Sequence, residues 1–336
     1  MAKAGILYPG RSLNHNFLIA LGRPADQLPR IFRQHYAGDE SRLRADFDAF
    51  IGEIRQEIDA VTPHTVVMSG ENLWHARNNE ADRHRQLLAS LATDVTIVAY
   101  VRRPADYYLS MIQQGMKASH QISRLRPIEY RNTIETLAGF GAKLEVHEYD
   151  VGSFPDGDIS LDFARRYAPE AAGPLKKVTL RKRTNESMSA ELMEIAREYR
   201  AHTHESQPNV FTKETKVLLR TLRNLDSGRR PKLKPEIADT LNHGAPDLLW
   251  LRNTHGVTFE GIDYDRIAEI PSSEPERIAD ICIVDQERKE GLVYEAIHAI
   301  VGGMTKDRPD LGYNFTTLFR PGTGGRRQGR GGRKKF

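Results

Sequence analysis

An apolar run that ends in two arginines and a proline constrains the fold more than any other feature of this sequence. A short continuous run of β-branched and aromatic residues is typical of a buried parallel strand. The run is followed by Arg102-Arg103-Pro104, and Pro104 suits the first turn of a helix because its missing N–H costs little there. The sequence therefore predicts a strand, a basic turn and a helix over residues 93–117. The apolar residues of the run are Val95, Ile97, Val98, Ala99, Tyr100 and Val101.

The predicted helix has a clear apolar face. Apolar residues recur here with the spacing of one helix face, at Ala105, Tyr108, Leu109, Ile112 and Met116. In open parallel sheets, ligands bind outside the carboxyl ends of the strands. Two arginines at such an end, together with the N-terminus of a helix, predict an anion-binding site.

The same patterns recur along the chain and predict an α/β fold. Further strands are predicted at residues 64–68 and 143–149, and an extended segment at 178–181. Amphipathic helices are predicted at 41–60, 80–92, 128–139, 159–167, after Ser187, from Lys213, and at 235–242, 247–252 and 291–301. We expect one domain over residues 1–305, with a central parallel sheet flanked by helices and a helical C-terminal part, and then a tail over residues 306–336.

Composition indicates a soluble protein. The chain has 336 residues, a mean hydropathy of −0.55 and 28% charged residues, and no apolar run reaches the ~18 residues of a membrane span. The start of the chain does not resemble a secretory signal, so we expect a cytoplasmic protein. The single cysteine, Cys282, excludes an intrachain disulfide, and its apolar surroundings predict buried packing.

The basic character of the chain comes from its end. Residues 321–336 hold six basic residues and no acidic one, which leaves 43 basic against 45 acidic residues in the rest of the chain. Their Gly- and Arg-rich composition predicts disorder from about residue 321. Weak contact with nucleic acid or acidic lipid is an alternative to a merely solvated end.

A carboxylate follows the strand predicted at 64–68. Glu71 lies in the phrase Ser69-Gly70-Glu71, just beyond the strand, where parallel sheets place their chemistry. Glu71 is a candidate general base that removes a proton from an acceptor hydroxyl. An equally good interpretation is a carboxylate that accepts backbone N–H groups at the start of the following helical turn. His15, farther upstream, is interpreted as a surface loop residue.

The spacing Arg102-Arg103-Pro104-x5-Ser110 resembles the 3′-phosphate-binding element of sulfotransferases that use 3′-phosphoadenosine-5′-phosphosulfate (PAPS). That resemblance implies that the Arg102 guanidinium forms a salt bridge, and the Ser110 hydroxyl a hydrogen bond, with the 3′-phosphate. Similar proteins also carry an S-x-E phrase where Ser69 and Glu71 stand. The resemblance covers roughly residues 1–265 and implies a P-loop-related sulfotransferase fold with no metal.

The family's first strand–loop–helix, which binds the 5′-phosphosulfate, has no counterpart in this sequence. There is no G-x-x-x-x-G-K-[ST] motif. We therefore expect a family member that is incomplete at its N-terminus or has lost the loop. Without that strand, one of the strands near residues 65–68 and 96–101 is expected to have an unpaired edge.

The implied function is transfer of a sulfuryl group from PAPS to a hydroxyl or amine, on a carbohydrate or lipid-linked sugar acceptor, with activity placed in doubt by the missing loop. One alternative is a catalytically inactive member that binds a nucleotide or sugar. Another is a protein that associates with RNA or membranes through its basic tail.

Overall fold

Four short strands form two separate parallel sheets. The computed structural model describes residues 5–10, 14–141, 143–179, 187–226, 229–269 and 272–307. One sheet pairs β1 with β2 and the other pairs β3 with β4, both in parallel. The strands are β1 (Ile6–Leu7), β2 (Thr65–Val66), β3 (Thr96–Val101) and β4 (Lys143–Glu148).

Helices make up most of the described chain, so the fold is mixed α/β and mostly helical. They are α1 (Arg30–Tyr36), α2 (Glu40–Val61), α3 (Ala81–Ala89), α4 (Pro104–Met116), α5 (Arg131–Ala138), α6 (Ile159–Tyr167), α7 (Pro169–Thr179), α8 (Ala190–Thr203), α9 (Lys213–Leu225), α10 (Pro235–His243), α11 (Asp247–His255), α12 (Ile278–Ile281) and α13 (Gln286–Asp307).

The strand, basic turn and helix predicted around residues 93–117 are present. β3 ends at Val101, and Pro104 occupies the first turn of α4. The predicted apolar face of α4 is buried through Tyr108, Ile112 and Met116. The local sequence pattern predicts this unit correctly because the residues of the strand, the turn and the helix each favour the structure that they adopt.

The two sheets replace the single central sheet expected from the sequence. In a parallel ladder, alternate residues of a strand bond to the same neighbour. The N–H groups of Thr65 and Val67 donate to Gly5 and Leu7 of the β1 segment, so those of Val66 and Met68 face away from β1. No described strand pairs with that edge of β2.

β3 also has an edge without a described strand partner, on the side that faces away from β4. The Tyr149 N–H donates to the Val101 carbonyl at 2.7 Å, so Val98 and Tyr100 direct their backbone groups away from β4. No described strand pairs with this edge of β3. Ile97 and Val98 are only partly buried, although their sequence pattern is that of a fully buried strand. Within the described residues, β2 and β3 therefore each have an edge without a strand partner, whereas the sequence predicted this for one of the two strands.

Helices cover the sheets and build the C-terminal part. α6 lies against the β3–β4 sheet, where the Tyr100 hydroxyl donates to Asp162 of α6 at 2.7 Å. α4, α8, α9, α12 and α13 contribute to one helical core, which contains the fully buried Cys282. The predicted burial of Cys282 is thereby confirmed. Within the described ranges, no helix combines the length and the apolar character that a membrane span requires.

Two sequence predictions fall at or beyond the limits of the described residues. α7 continues through Val178 and Thr179, so the extended segment predicted at 178–181 is wrong for those two residues. Residues 180–186, with Lys182, Arg183 and Asn185, lie outside the described residues. The same is true of residues 308–336, which include the basic tail.

Candidate functional site

The candidate site lies where β2 and β3 end. Glu71 begins a 3₁₀ turn (Glu71–His75) five residues after Val66, the last paired residue of β2, and Arg102 and Arg103 lie between β3 and α4. Trp74 of the turn lies against Tyr107 of α4, with ring centroids 6.4 Å apart. The turn that carries Glu71 is therefore packed onto the helix that follows the two arginines.

The Arg102 side chain is held over an aromatic ring. Its guanidinium carbon lies 4.0 Å from the centroid of Tyr149, which follows β4. Its backbone carbonyl accepts a hydrogen bond of 2.7 Å from the buried Tyr130 hydroxyl. Among the described residues, Arg102 forms no ion pair with a carboxylate. The guanidinium is thus fixed on one face, and its N–H groups remain available to an anion.

Arg103 is also without a carboxylate partner in the described part of the chain. Its Nε is buried and has no hydrogen-bond acceptor. The charge of Arg103 acts on Glu148, at the end of β4. Burial and Asp150 raise the pKa of Glu148, while Arg103 lowers it. A buried N–H without an acceptor is costly, so an anionic ligand that accepted from Arg103 would remove that cost.

The N-terminus of α4 contributes less to an anion site than the sequence suggests. The Asn242 side-chain oxygen accepts a hydrogen bond of 3.1 Å from the Ala105 N–H. One of the N–H groups at the helix N-terminus, which have no acceptor within the helix, therefore already has an acceptor. Sequence reasoning missed Asn242 because it lies 137 residues away and belongs to no motif. The two guanidinium groups, rather than the helix end, are therefore the candidate anion-binding groups.

Glu71 is exposed and accepts no hydrogen bond from a described residue. Glu71 does lie in the first turn of this 3₁₀ segment, but no described backbone N–H donates to it, as the alternative interpretation would require. Its charge acts instead on α4. Burial raises the pKa of Tyr107, and Glu71 raises it further. Burial and Arg223 lower the pKa of Lys117, whereas Glu71 raises it.

Ser110 shares a helix face with both of these residues. Tyr107, Ser110, Gln114 and Lys117 follow one another at intervals of three and four positions, which places them along one side of α4. Glu71 acts electrostatically on the residues at both ends of this row, and its turn packs on Tyr107 through Trp74. The Ser110 hydroxyl is partly buried and bonds to no other described residue. No described contact joins Ser110 to Arg102.

Cationic groups surround this face. Arg223 is close enough to Lys117 to lower the pKa of Lys117 further than burial does, and Arg126 lowers the pKa of Tyr107. The Nε of Arg223 is buried without an acceptor. Ser187, the first described residue after the gap at 180–186, donates a hydrogen bond of 2.9 Å to Gln113 of α4. The segment after residue 186 is therefore anchored beside the same helix.

His15 holds the loop that carries Glu71, so its interpretation as a surface residue is wrong. The ring is buried, with Nε2 2.9 Å from the Pro9 carbonyl and Nδ1 accepting from the Ser69 N–H at 3.1 Å. The next residue, Asn16, accepts from the Asn72 N–H at 3.0 Å. Both neighbours of the Gly70–Glu71 pair are thus tied to the segment after β1. The residues joined by these two hydrogen bonds are 54 and 56 positions apart in the sequence, so no local pattern could predict the contacts.

Within the described residues, no group of three or more His, Cys, Asp and Glu side chains is arranged to hold a metal ion. The site consists of arginines, one exposed carboxylate, a serine and aromatic residues. Comparison of the chain with protein-family models, with curated proteins and with solved structures finds no match in any of the three. A function for this site therefore has to be inferred from its geometry and from the residues that form it.

Proposed function

We propose that this protein binds the adenosine 3′-phosphate half of PAPS and is of the PAPS-dependent sulfotransferase type. The observation that carries the proposal is the Arg102 guanidinium, held over Tyr149 with no carboxylate partner among the described residues. Buried or partly buried arginines are ordinarily paired with acidic groups. Two arginines that lack a carboxylate partner in the described part of the chain, at the end of a parallel strand, are the arrangement that a phosphate group would complete.

The individual roles follow from the resemblance and the geometry together. Arg102 forms a charged hydrogen bond with the 3′-phosphate, and Ser110 donates its hydroxyl to the same group. Arg103 adds positive charge beside Arg102. The residues present fit this half of the nucleotide. None of them is assigned to the 5′-phosphosulfate.

Glu71 is the proposed general base. In the reaction, the acceptor oxygen forms a bond to sulfur while the bond between sulfur and the 5′-phosphate oxygen breaks. The acceptor O–H proton passes to the Glu71 carboxylate, and adenosine 3′,5′-bisphosphate leaves. An exposed carboxylate without hydrogen bonds can approach a bound hydroxyl, and such a base contributes about 10²–10⁴-fold to the rate. A carbohydrate or lipid-linked sugar is the proposed acceptor.

The unpaired strand edges support the finer assignment to a P-loop-related fold. β2 and β3 each direct one row of backbone groups away from the one strand that pairs with them among the described residues. One additional parallel strand between them would join the two sheets into a single central sheet. We propose that the active form contains such a strand.

Calorimetric titration of the intact chain with adenosine 3′,5′-bisphosphate tests the proposal. Adenosine 5′-monophosphate is the matched control, since it lacks only the 3′-phosphate. We expect at least tenfold tighter binding of the bisphosphate, because a hydrogen bond to a charged group contributes about 1.5–3 kcal/mol. Equal affinity for the two nucleotides, or no binding of either, contradicts the proposal. Selective binding without sulfuryl transfer from PAPS would identify a nucleotide-binding protein that is not catalytic.

A further inference from the structure

Two cations lie at the far end of α4 from Arg102. Lys117 directly follows α4, and its ammonium group donates to the side-chain oxygen of Gln114 at 2.5 Å. That contact directs the Lys117 side chain back along the helix toward Ser110, which lies one turn before Gln114. Arg223 of α9 acts electrostatically on Lys117 and lowers its pKa further than burial does. The proposed function gives neither cation a role.

Neither cation has an anionic partner. In the described part of the chain, Lys117 and Arg223 form no ion pair with a carboxylate. The Nε of Arg223 is buried and has no acceptor. Lys117 carries three N–H donors, and the described contacts use one of them, on an uncharged amide. A buried N–H without an acceptor and two neighbouring like charges are both unfavourable, and an anion bound between the two side chains would relieve both.

Buried polar groups without partners are concentrated at this end of the helix. Of the four buried side-chain nitrogens that lack a hydrogen-bond partner in the described ranges, one is Nε of Arg223 and another is Nδ1 of His120, three residues after Lys117. A third, Nε of Arg103, lies at the opposite end of α4, in the proposed nucleotide site. Assigning Arg102 and Arg103 to the nucleotide therefore leaves the polar groups near Lys117 unsatisfied.

The two ends of α4 are too far apart to hold the same phosphate group. The helix has 13 residues, and at ~1.5 Å per residue it is roughly 20 Å long. Glu71, the proposed base, acts electrostatically on Lys117, although the two form no described ion pair. A ligand that binds Lys117 therefore lies within the electrostatic range of Glu71 and away from the phosphate bound at Arg102.

We propose that the acceptor is an acidic sugar whose carboxylate or phosphate group binds between Lys117 and Arg223. This inference rests on the proposed function, in which an acceptor hydroxyl gives its proton to Glu71. The acidic group accepts hydrogen bonds from the remaining ammonium donors of Lys117 and from the Arg223 Nε–H. The hydroxyl groups of the same sugar are then free to approach Glu71. A neutral sugar leaves both cations without an anionic partner, so the site discriminates against it.

NMR titration of the intact chain, without nucleotide, tests the inference with matched sugars. Methyl glucuronide and methyl glucoside differ only in a carboxylate, and glucose 6-phosphate and glucose differ only in a phosphate. We expect the acid of at least one pair to bind at least tenfold more tightly than its neutral partner, and the pair with the larger ratio identifies the acidic group. Lys117→Gln and Arg223→Gln should each reduce that ratio to threefold or less.

Two further variants control for net charge and for folding. Arg165→Gln removes an exposed cation on α6 and should keep the native ratio. Lys117→Arg retains the charge and should also keep most of the preference, so the pair of Lys117 variants tests the site even if Arg223→Gln does not fold. Equal affinity of the native chain for acidic and neutral sugars overturns the inference. A preference that Lys117→Gln leaves unchanged also overturns it, because the acid would then bind elsewhere.

Titration with adenosine 3′,5′-bisphosphate separates this inference from the proposed function. Lys117→Gln should bind the bisphosphate with native affinity. A tenfold loss would assign Lys117 to the nucleotide and overturn the inference. Native binding of the bisphosphate without any preference for acidic sugars overturns the inference alone, whereas a preference for acidic sugars without nucleotide binding overturns the proposed function alone.

Discussion

The guanidinium carbon of Arg102 lies 4.0 Å from the centroid of the Tyr149 ring, across the ends of two paired strands. The pairing itself sets this contact, since the Tyr149 N–H donates to the carbonyl of Val101, the residue before Arg102. A cation–π contact of this kind is worth about 0.5–2 kcal/mol. The contact orients the guanidinium without neutralising its positive charge, which an anion-binding arginine has to keep.

Replacing the ring should therefore weaken nucleotide binding. We expect Tyr149→Leu to lower the affinity for adenosine 3′,5′-bisphosphate about two- to fivefold, because the guanidinium loses its fixed orientation. Tyr149→Phe retains the ring and should bind nearly as well as the native chain. Calorimetry on the three proteins measures the effect. A Phe variant as weak as the Leu variant would show that the hydroxyl, not the ring, is what matters.

The position of Glu71 over α4 can be tested without an activity assay. Its negative charge raises the pKa values of Tyr107 and Lys117. Glu71→Gln removes that charge, so both pKa values should fall, and NMR titration of the two side chains would detect the change. Asp94→Asn removes a carboxylate on a different loop and should change neither. If Tyr107 and Lys117 titrate identically in the native and Glu71→Gln proteins, Glu71 does not lie over the face of α4 that carries Ser110.

Sequence patterns predicted local structure well and long-range contacts poorly. β3 and α4 were predictable because a β-branched run, a proline and helical spacing act over a few residues. β2 is shorter than its apolar run, since β1, its partner in the described chain, ends at Leu7, opposite Val66. The pairing of His15 with Ser69 and of Ala105 with Asn242 depends on tertiary packing across 54 and 137 residues, which no periodicity encodes.

Beside the site, a buried ion pair anchors the chain before α3. Arg23 Nε donates to Glu80 at 2.8 Å, and the two residues are only 3% and 5% exposed. Arg23→Met leaves a buried carboxylate unpaired and should lower the free energy of unfolding by about 3–5 kcal/mol. Arg85→Met breaks the exposed Arg85–Asp82 pair and should cost at most about 1 kcal/mol. Urea denaturation compares the two; equal losses would contradict the assigned role of burial.

The buried His15 should make stability depend on pH. Its Nδ1 accepts the Ser69 N–H, so the folded chain holds the neutral ring, and burial lowers the pKa of His15 below its usual 6.5. The unfolded chain then binds this proton more readily than the folded chain, and stability falls as the pH drops below about 6.5. In His15→Gln, this part of the pH dependence should disappear, as measured by thermal unfolding between pH 5 and 8. An unchanged slope would mean that His15 binds its proton equally in the folded and the unfolded chain.

The central claim is that Arg102 binds the 3′-phosphate of the nucleotide, and calorimetric titration of Arg102→Ala with adenosine 3′,5′-bisphosphate tests it most directly. Arg85→Ala, an exposed arginine on α3, is the matched control. The account predicts a folded Arg102→Ala protein whose affinity for the bisphosphate falls tenfold or more, from the loss of a charged hydrogen bond of about 1.5–3 kcal/mol. Its affinity for adenosine 5′-monophosphate should stay that of the native chain. Undiminished binding of the bisphosphate by a folded Arg102→Ala protein would contradict the claim.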